Sequence, residues 1–307
     1  MCEVGLGPTP HLPSAAMTEP KAEIAVGLAT HELVWVEGPD AITFLDSQVS
    51  QDVMGMAPGT VRRSLLLEPR GKLRAILWVL RDAERVGLVV AAPGASDLIA
   101  DLSRFRFRVK ADLRRDERPV HTVWGTGAGD AKWREDGTSL EAATPHYRLV
   151  ASQENPDGRV LDAEDVTAHR IAVAEPRFGV EVDEGTIPQE TGLVAESVSF
   201  TKGCYLGQEL VARIDTRGHV NRMLRRLAGT GNPPPPGAAI AREDTAVGAL
   251  ASVAPIGEGW VGLALLRREA QPGDRVVVSW EGGEATATVA DTPDRTGSSH
   301  SPNGPSR

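Results

Sequence analysis

Strand-like alternation over most of the chain, a few short helical stripes, and evenly spaced strands after a proline run predict an α+β protein. The expected plan is two lobes of sheet and helix followed by a small C-terminal β-barrel. The 307 residues are 41% hydrophobic and 24% charged, a composition that packs soluble cores in two or three units.

Order is expected from Ala22. AEIAVGLATHELVWVEG alternates apolar and polar residues and reads as strand, and GPDAITFLDSQVS reads as a short helix with Ile42 and Leu45 toward a core. TVRRSLLLEPRGKLRAILWVLRDAERVGLVVAA reads as a three-strand meander whose first turn is Glu68-Pro69-Arg70-Gly71. Residues 93–105 carry Leu98, Ile99, Leu102 and Phe105 on one helical stripe, and a strand is expected over 107–113. Short strands are expected at 120–124 and 147–150. Asp162, with Asp165 three residues on, is an N-cap for a helix that Pro176 stops. The stretch 185–209 reads as loop and turns, and LVARIDTRG and RMLRRLAG read as strands. NPPPPG is a stiff boundary, with strands expected beyond it at 246–253, 260–266, 275–280 and 285–290. The resulting division is a disordered tail over 1–21, a sheet-and-helix region over 22–231, a barrel over 232–291, and a disordered tail over 292–307.

A formal net charge of −9 argues against general nucleic-acid binding, which needs clustered cations. Basic clusters at 62–74, 104–118 and 202–226 are each ordinary solvated faces taken singly; together they form one anion-binding surface if the fold brings them onto one side. The cysteines are Cys2 and Cys204, and Cys2 falls in the tail, ahead of an alternative start at Met17, so a structural disulfide is not expected. That usage, the lack of a bilayer-length apolar run and the lack of a signal peptide place the chain in the cytoplasm with no membrane partner. The histidines show no metal-ligand spacing, so no metal site is expected.

Lys202-Gly203-Cys204-Tyr205-Leu206-Gly207-Gln208-Glu209 is the most informative segment. Its glycines suggest a tight loop where backbone approaches something closely. A thiol beside Lys202 gains thiolate character from the neighbouring cation. Burial as a small hydrophobe is the commoner fate of a single cysteine, and physics alone favours it.

KGCYLGQE, however, resembles the K-G-C-[FY]-x-G-Q-E signature of the YgfZ family, whose mitochondrial relatives serve iron–sulfur assembly. RFGVEVDEGTIPQETGL resembles the family's P-R-F-G-x-(D/E) and P-x-E segments, and ELVARIDTRGHVNRMLRRL its E-x-V-A-R and R-G-x-V-x-R-x-L segments; DSQVSQDV and LLEPRGKL match less closely. The resemblance covers most of 30–270. It implies a three-lobed aminomethyltransferase-like ring, with two intertwined lobes over 22–231 that meet near residue 115 and tetrahydrofolate near its centre, Cys204 as the functional thiol assisted by Lys202, and iron–sulfur client enzymes as partners, including those that modify tRNA. Direct tRNA binding is not expected, and a monomer is.

Residues assigned to the folate on this basis are Lys202, Tyr205, Gln208, Glu190 and Arg213. Glu190 either accepts from the pterin or is a surface acid capping the turn at Thr191-Gly192. Arg213 either pairs with the glutamyl carboxylates or is an exposed strand residue. Related folate-dependent transferases carry an essential acid in the strand after the Pro-x-Gly turn, where this chain has Arg74 and Ala75. That departure favours an accessory factor over the alternatives, a one-carbon transferase or demethylase-like enzyme and a plain folate-storage module.

Overall fold

The computed structural model describes residues 24–125, 132–136, 138–217 and 220–290; the tails expected at 1–21 and 292–307, with Cys2 and Met17, lie outside the described residues. The N-terminal sheet is built around β1 (Ala25–Glu37), followed by α1 (Ala41–Gln48) and the meander β2 (Val61–Leu67), β3 (Leu73–Arg81) and β4 (Arg85–Ala91). Then come α2 (Ala95–Ser103), β5 (Asp112–Arg115), β6 (Val120–Trp124), β7 (Trp133–Glu135), β8 (Ser139–Ala143), β9 (Arg148–Ser152) and β10 (Arg159–Val160). These ten strands form one sheet in the order β2-β3-β4-β1-β6-β9-β8-β7, with β5 and β10 also pairing β1.

Strand β1 serves both halves of this sheet. Residues His31 to Glu37 pair with β4, while Ala25 to His31 pair with β6. The register against β6 shifts between Gly27 and His31, and Ala29 there has φ 48°. Such a bulge ejects residues from the ladder, and here it turns Leu28, Ala29 and Thr30 into the wall of the molecule's large cavity. One face of the meander packs on α1 and α2 through Leu45, Leu77, Leu88, Leu98 and Leu102. The other carries Trp78 into a cluster with Trp35, Trp124 and Tyr147.

Helix α3 (Ala163–Ala172) begins as expected, with the Asp162 side chain accepting from the Asp165 N–H at 2.8 Å. A 3-10 turn (Pro188–Thr191), α4 (Val194–Ser197) and α5 (Gln208–Arg217) lead into β11 (Arg222–Thr230). Helix α5 corrects the expected strand LVARIDTRG. Leu210, Val211 and Ile214 fall one and four positions apart, so a helix puts them on one face, with Val211 buried and Arg213, Asp215 and Thr216 exposed. A strand would have put Val211 on the same face as Arg213 and Asp215.

The C-terminal sheet has seven strands: β11, β12 (Ala239–Arg242), β13 (Thr245–Ala249), β14 (Ser252–Ile256), β15 (Gly259–Arg267), β16 (Arg275–Trp280) and β17 (Gly283–Ala290), in the order β13-β12-β16-β17-β11-β15-β14. Strands β15, β16 and β17 follow the sequence pattern, but the run 246–253 is split between β13 and β14, and the four-residue β12 has no counterpart among the expected strands. Strand β11, ahead of the proline run, lies inside this sheet. Similarly, the strand expected at 107–113 begins only at Asp112, because 104–111 is taken up by turns such as Arg106 N–H to Ser103 carbonyl and Val109 N–H to Arg106 carbonyl.

Candidate functional site

The signature loop is held from three directions and leaves its thiol outside. Lys202 has a side chain only 1% exposed. Its ammonium donates to the carbonyls of Asp46, Val49 (3.1 Å) and Gln51 (2.7 Å), where the chain leaves α1, and lies 3.2 Å from the Asp46 carboxylate. Burial lowers the Lys202 pKa, and Asp46 partly offsets that. Tyr205 is buried beside Leu65, Leu67 and Leu73, its hydroxyl pushed up to about 12 by burial. The Gln208 side-chain oxygen accepts the Tyr205 N–H at 3.2 Å, and the Leu206 N–H bonds the Ser47 carbonyl at 3.1 Å.

The close approach implied by the glycines is to the Glu68–Gly71 turn between β2 and β3. Gly207 has φ 80°, and a Cβ there would sit 2.6 Å from the Glu68 carbonyl oxygen and 2.9 Å from the Gly71 Cα. Gly71, also at φ 80°, would bring a Cβ to 2.5 Å from Leu210 and 2.9 Å from the Gly207 carbonyl. Only glycine fits on either side of this contact. Cys204 itself is free and exposed.

The other assigned residues have local partners. Glu190 is 5% exposed, caps its own turn through the Ile187 N–H at 3.1 Å, and binds the Arg222 guanidinium at 2.8 and 3.1 Å. Arg213 stands exposed on α5. Lys202, Cys204, Tyr205, Gln208, Glu190 and Arg213 thus share the region around the 3-10 turn, the signature loop and α5, and none of them lines the large cavity.

That cavity, about 670 Å³, lies between the β1 bulge, β3, the end of β4, α2, α3 and the segment after α3. Trp78, Trp124 and Tyr147 form its flat apolar part: Trp78 Nε1 donates to the Tyr147 hydroxyl at 3.0 Å, and the two tryptophans meet the Tyr147 ring edge-on at 6.1 and 6.2 Å. Glu175 enters the wall clamped from behind by the fully buried Arg63, which donates to both carboxylate oxygens at 2.6 Å, lies 3.5 Å from Glu196, and sits over the Trp78 ring at 4.2 Å. Burial alone would lower the Arg63 pKa; the Glu175 and Glu196 carboxylates outweigh it and raise it. Arg74 lies in the same wall, bonded to Asp101 at 2.9 and 3.1 Å and to Glu184. The three basic clusters do not converge here. Of the cations at 62–74, 104–118 and 202–226, Arg74 alone lines the cavity, while Arg115, Arg118, Lys202 and Arg222 are paired elsewhere with Glu32, Asp116, Asp46 and Glu190.

No protein-family model matches the chain. It is 25% identical over 226 residues to the tRNA-modifying protein YgfZ of Vibrio atlanticus, covering 66% of this chain and 70% of that one. It is 28% identical over 299 residues to the mitochondrial iron–sulfur cluster assembly factor IBA57 of Mus musculus, covering 85% and 82%. Its structure is similar to the glycine cleavage system aminomethyltransferase T from Bartonella henselae, with a TM-score of 0.77 at 19% identity over 91% of this chain and 88% of that one. The chain is similar to YgfZ-type proteins and has the aminomethyltransferase fold.

In this chain, Arg74 and Ala75, which the resemblance aligns with the transferases' acids, both line the cavity. Other cavity residues carried no sequence signal as a group, since they come from segments as far apart as His31 and Arg177. Two of them, Glu175 and Arg177, flank the Pro176 that marks a helix stop, and Arg177 opens the RFGVEV segment of the resemblance. Among the described residues, no group of three or more His, Cys, Asp or Glu side chains could hold a metal ion, and no helix is long and apolar enough to cross a membrane.

His31 links the bulge to the cavity. Its Nδ1 lies 2.9 Å from the Thr30 hydroxyl and 3.3 Å from that of Thr122. Burial pushes its pKa down from 6.5 to about 4, opposed by Glu175 and assisted by Arg177 and Arg63. Its side chain is half-buried and lines the cavity. The neutral ring is therefore the native form. Below pH 6.5 the unfolded chain takes up a proton that folded His31 refuses, so the contribution of His31 to stability should fall as pH drops from about 6.5 to 4 and level off below that. The share due to His31 is at most about 3 kcal/mol. Urea midpoints across this range should fall more for the parent than for His31→Gln; parallel curves would refute the assignment.

Proposed function

We propose that this protein binds a reduced folate in the large cavity and supports iron–sulfur clusters in client enzymes through the Cys204 thiol. The observation that carries this is the signature loop itself. Lys202, Tyr205 and Gly207 are committed to anchoring it, and the result is an exposed cysteine on a fixed support. A purely structural cysteine would be expected in the core. An accessible thiol in a fixed loop can act as a soft ligand or nucleophile toward a cluster or its sulfur on a docked client.

The cavity suits a folate. Its volume is in the range of small-molecule sites. Trp78, Trp124 and Tyr147 offer flat apolar contact to a pterin, and Asp97, which lines the cavity and enters no ion pair among the described residues, offers a carboxylate acceptor. When bound, a reduced folate would supply one-carbon or reducing chemistry. A transferase is disfavoured because Arg74 and Ala75 leave no acid at the expected strand position.

Cys204→Ala should fold normally and bind 5-formyltetrahydrofolate like the parent, since Cys204 does not line the cavity, yet fail to restore cluster-dependent enzyme activity in cells lacking the protein. Full restoration by this variant would make the thiol dispensable and sink the proposal.

A further inference from the structure

Three guanidinium groups line the cavity, and they are not equally compensated. Arg74 is held by Asp101 and Glu184, and Arg170 reaches Glu181 at 2.9 Å. Arg177 enters no ion pair among the described residues; its one side-chain bond runs from Nη2 to the Ala92 carbonyl at 2.8 Å. The nearby Glu181 is already engaged. One of its oxygens accepts the Arg177 backbone N–H at 2.8 Å, and the other takes Arg170 and the Ser252 hydroxyl. Burial lowers the Arg177 pKa, and the like charge of Arg170 lowers it further, with Glu181 only partly opposing. The wall is therefore short of negative charge at Arg177, and the guanidinium retains donors beyond the one spent on Ala92.

We propose that Arg177 anchors a carboxylate of the cavity's ligand, so that the site selects a pterin carrying an acyl-glutamate tail over a free pterin. This rests on the reading that a reduced folate occupies the cavity. A bound carboxylate would supply the missing charge, and the planar fork of an arginine receives it through two parallel N–H bonds. The aromatic wall, in contrast, has no preference for a charged tail.

Calorimetric titration of the full chain with 5-formyltetrahydrofolate and with 6-methyltetrahydropterin, which lacks the tail, tests this. Arg177→Gln should weaken the folate about tenfold or more while leaving the pterin within about twofold of the parent. Arg177→Lys, which keeps the charge without the fork, should fall between. Thermal melting of each variant checks that the fold is intact. Equal binding of the folate by parent and Arg177→Gln would overturn the proposal, as would an equal loss of both ligands in a normally melting variant, or a parent that binds the pterin as tightly as the folate. A parent that binds neither ligand would remove the folate reading and this inference with it.

Discussion

Gly207→Ala should destabilise the protein by about 2–5 kcal/mol, combining a left-handed backbone with an overpacked contact. The added carbon would meet the Glu68 carbonyl oxygen at 2.6 Å and the Gly71 Cα at 2.9 Å, and both are backbone atoms that cannot rotate away. Gly203, on the other side of Cys204, is the control. It has open space within 4 Å of the added carbon and no positive φ, so Gly203→Ala should stay within about 0.5 kcal/mol of the parent. Denaturant unfolding of the two variants should separate them clearly. The rate of Cys204 alkylation should change in Gly207→Ala and not in Gly203→Ala, because only the former disturbs the loop's seat. If Gly207→Ala unfolds like the parent, the docking of the loop on the Glu68–Gly71 turn is wrong.

Glu175→Leu should cost about 3–5 kcal/mol, because it strips the bidentate partner from a guanidinium with no exposed side-chain surface. Glu196, 3.5 Å from Arg63 Nε, cannot replace two bonds of 2.6 Å. The double variant Arg63→Met with Glu175→Leu removes both charges and keeps apolar contact with Trp78. It should recover most of the loss, since the penalty lies in the unpaired charge and not in the absence of the pair. Chemical denaturation of the single and double variants completes the cycle. Additive losses would show that Arg63 and Glu175 do not act as a unit.

What could be read from the sequence was whatever is decided over a few neighbouring residues. The Asp162 cap needs only Asp165, the meander only its alternation and the Pro69–Gly71 turn, and the close approach at Gly207 only the absence of a side chain. The partner in that approach, a turn far back along the chain, is a product of folding. Lys202 shows the same limit from the other side. Two residues from Cys204 it reads as a neighbour of the thiol, yet its ammonium is drawn to carbonyls that α1 and the following loop leave unsatisfied. Helix α5 reads as strand because Ala212-Arg213-Ile214-Asp215 alternates apolar and polar and mimics period two; burial of Val211 with Leu210 and Ile214 half-buried decides for the helix. The cavity was illegible for a related reason. His31, Arg74, Trp124, Tyr147 and Arg177 are gathered by a bulge, a strand face and a turn after α3, and no spacing rule connects them.

The place of β11 bears on how this molecule can be dissected. The proline run looks like a hinge between separable pieces, but β11 precedes it and is the strand that joins β15 to β17, with nine residue pairs on one side and four on the other. A fragment cut out at Asn232 would carry away β12 to β17 with that joint missing, and two raw strand edges open to intermolecular pairing. The smallest excisable piece starts at Arg222 instead. That residue is the one gripped by Glu190, so even the correct cut severs an ion pair. A protease site or fusion point set in NPPPPG would divide a sheet, not a linker between modules.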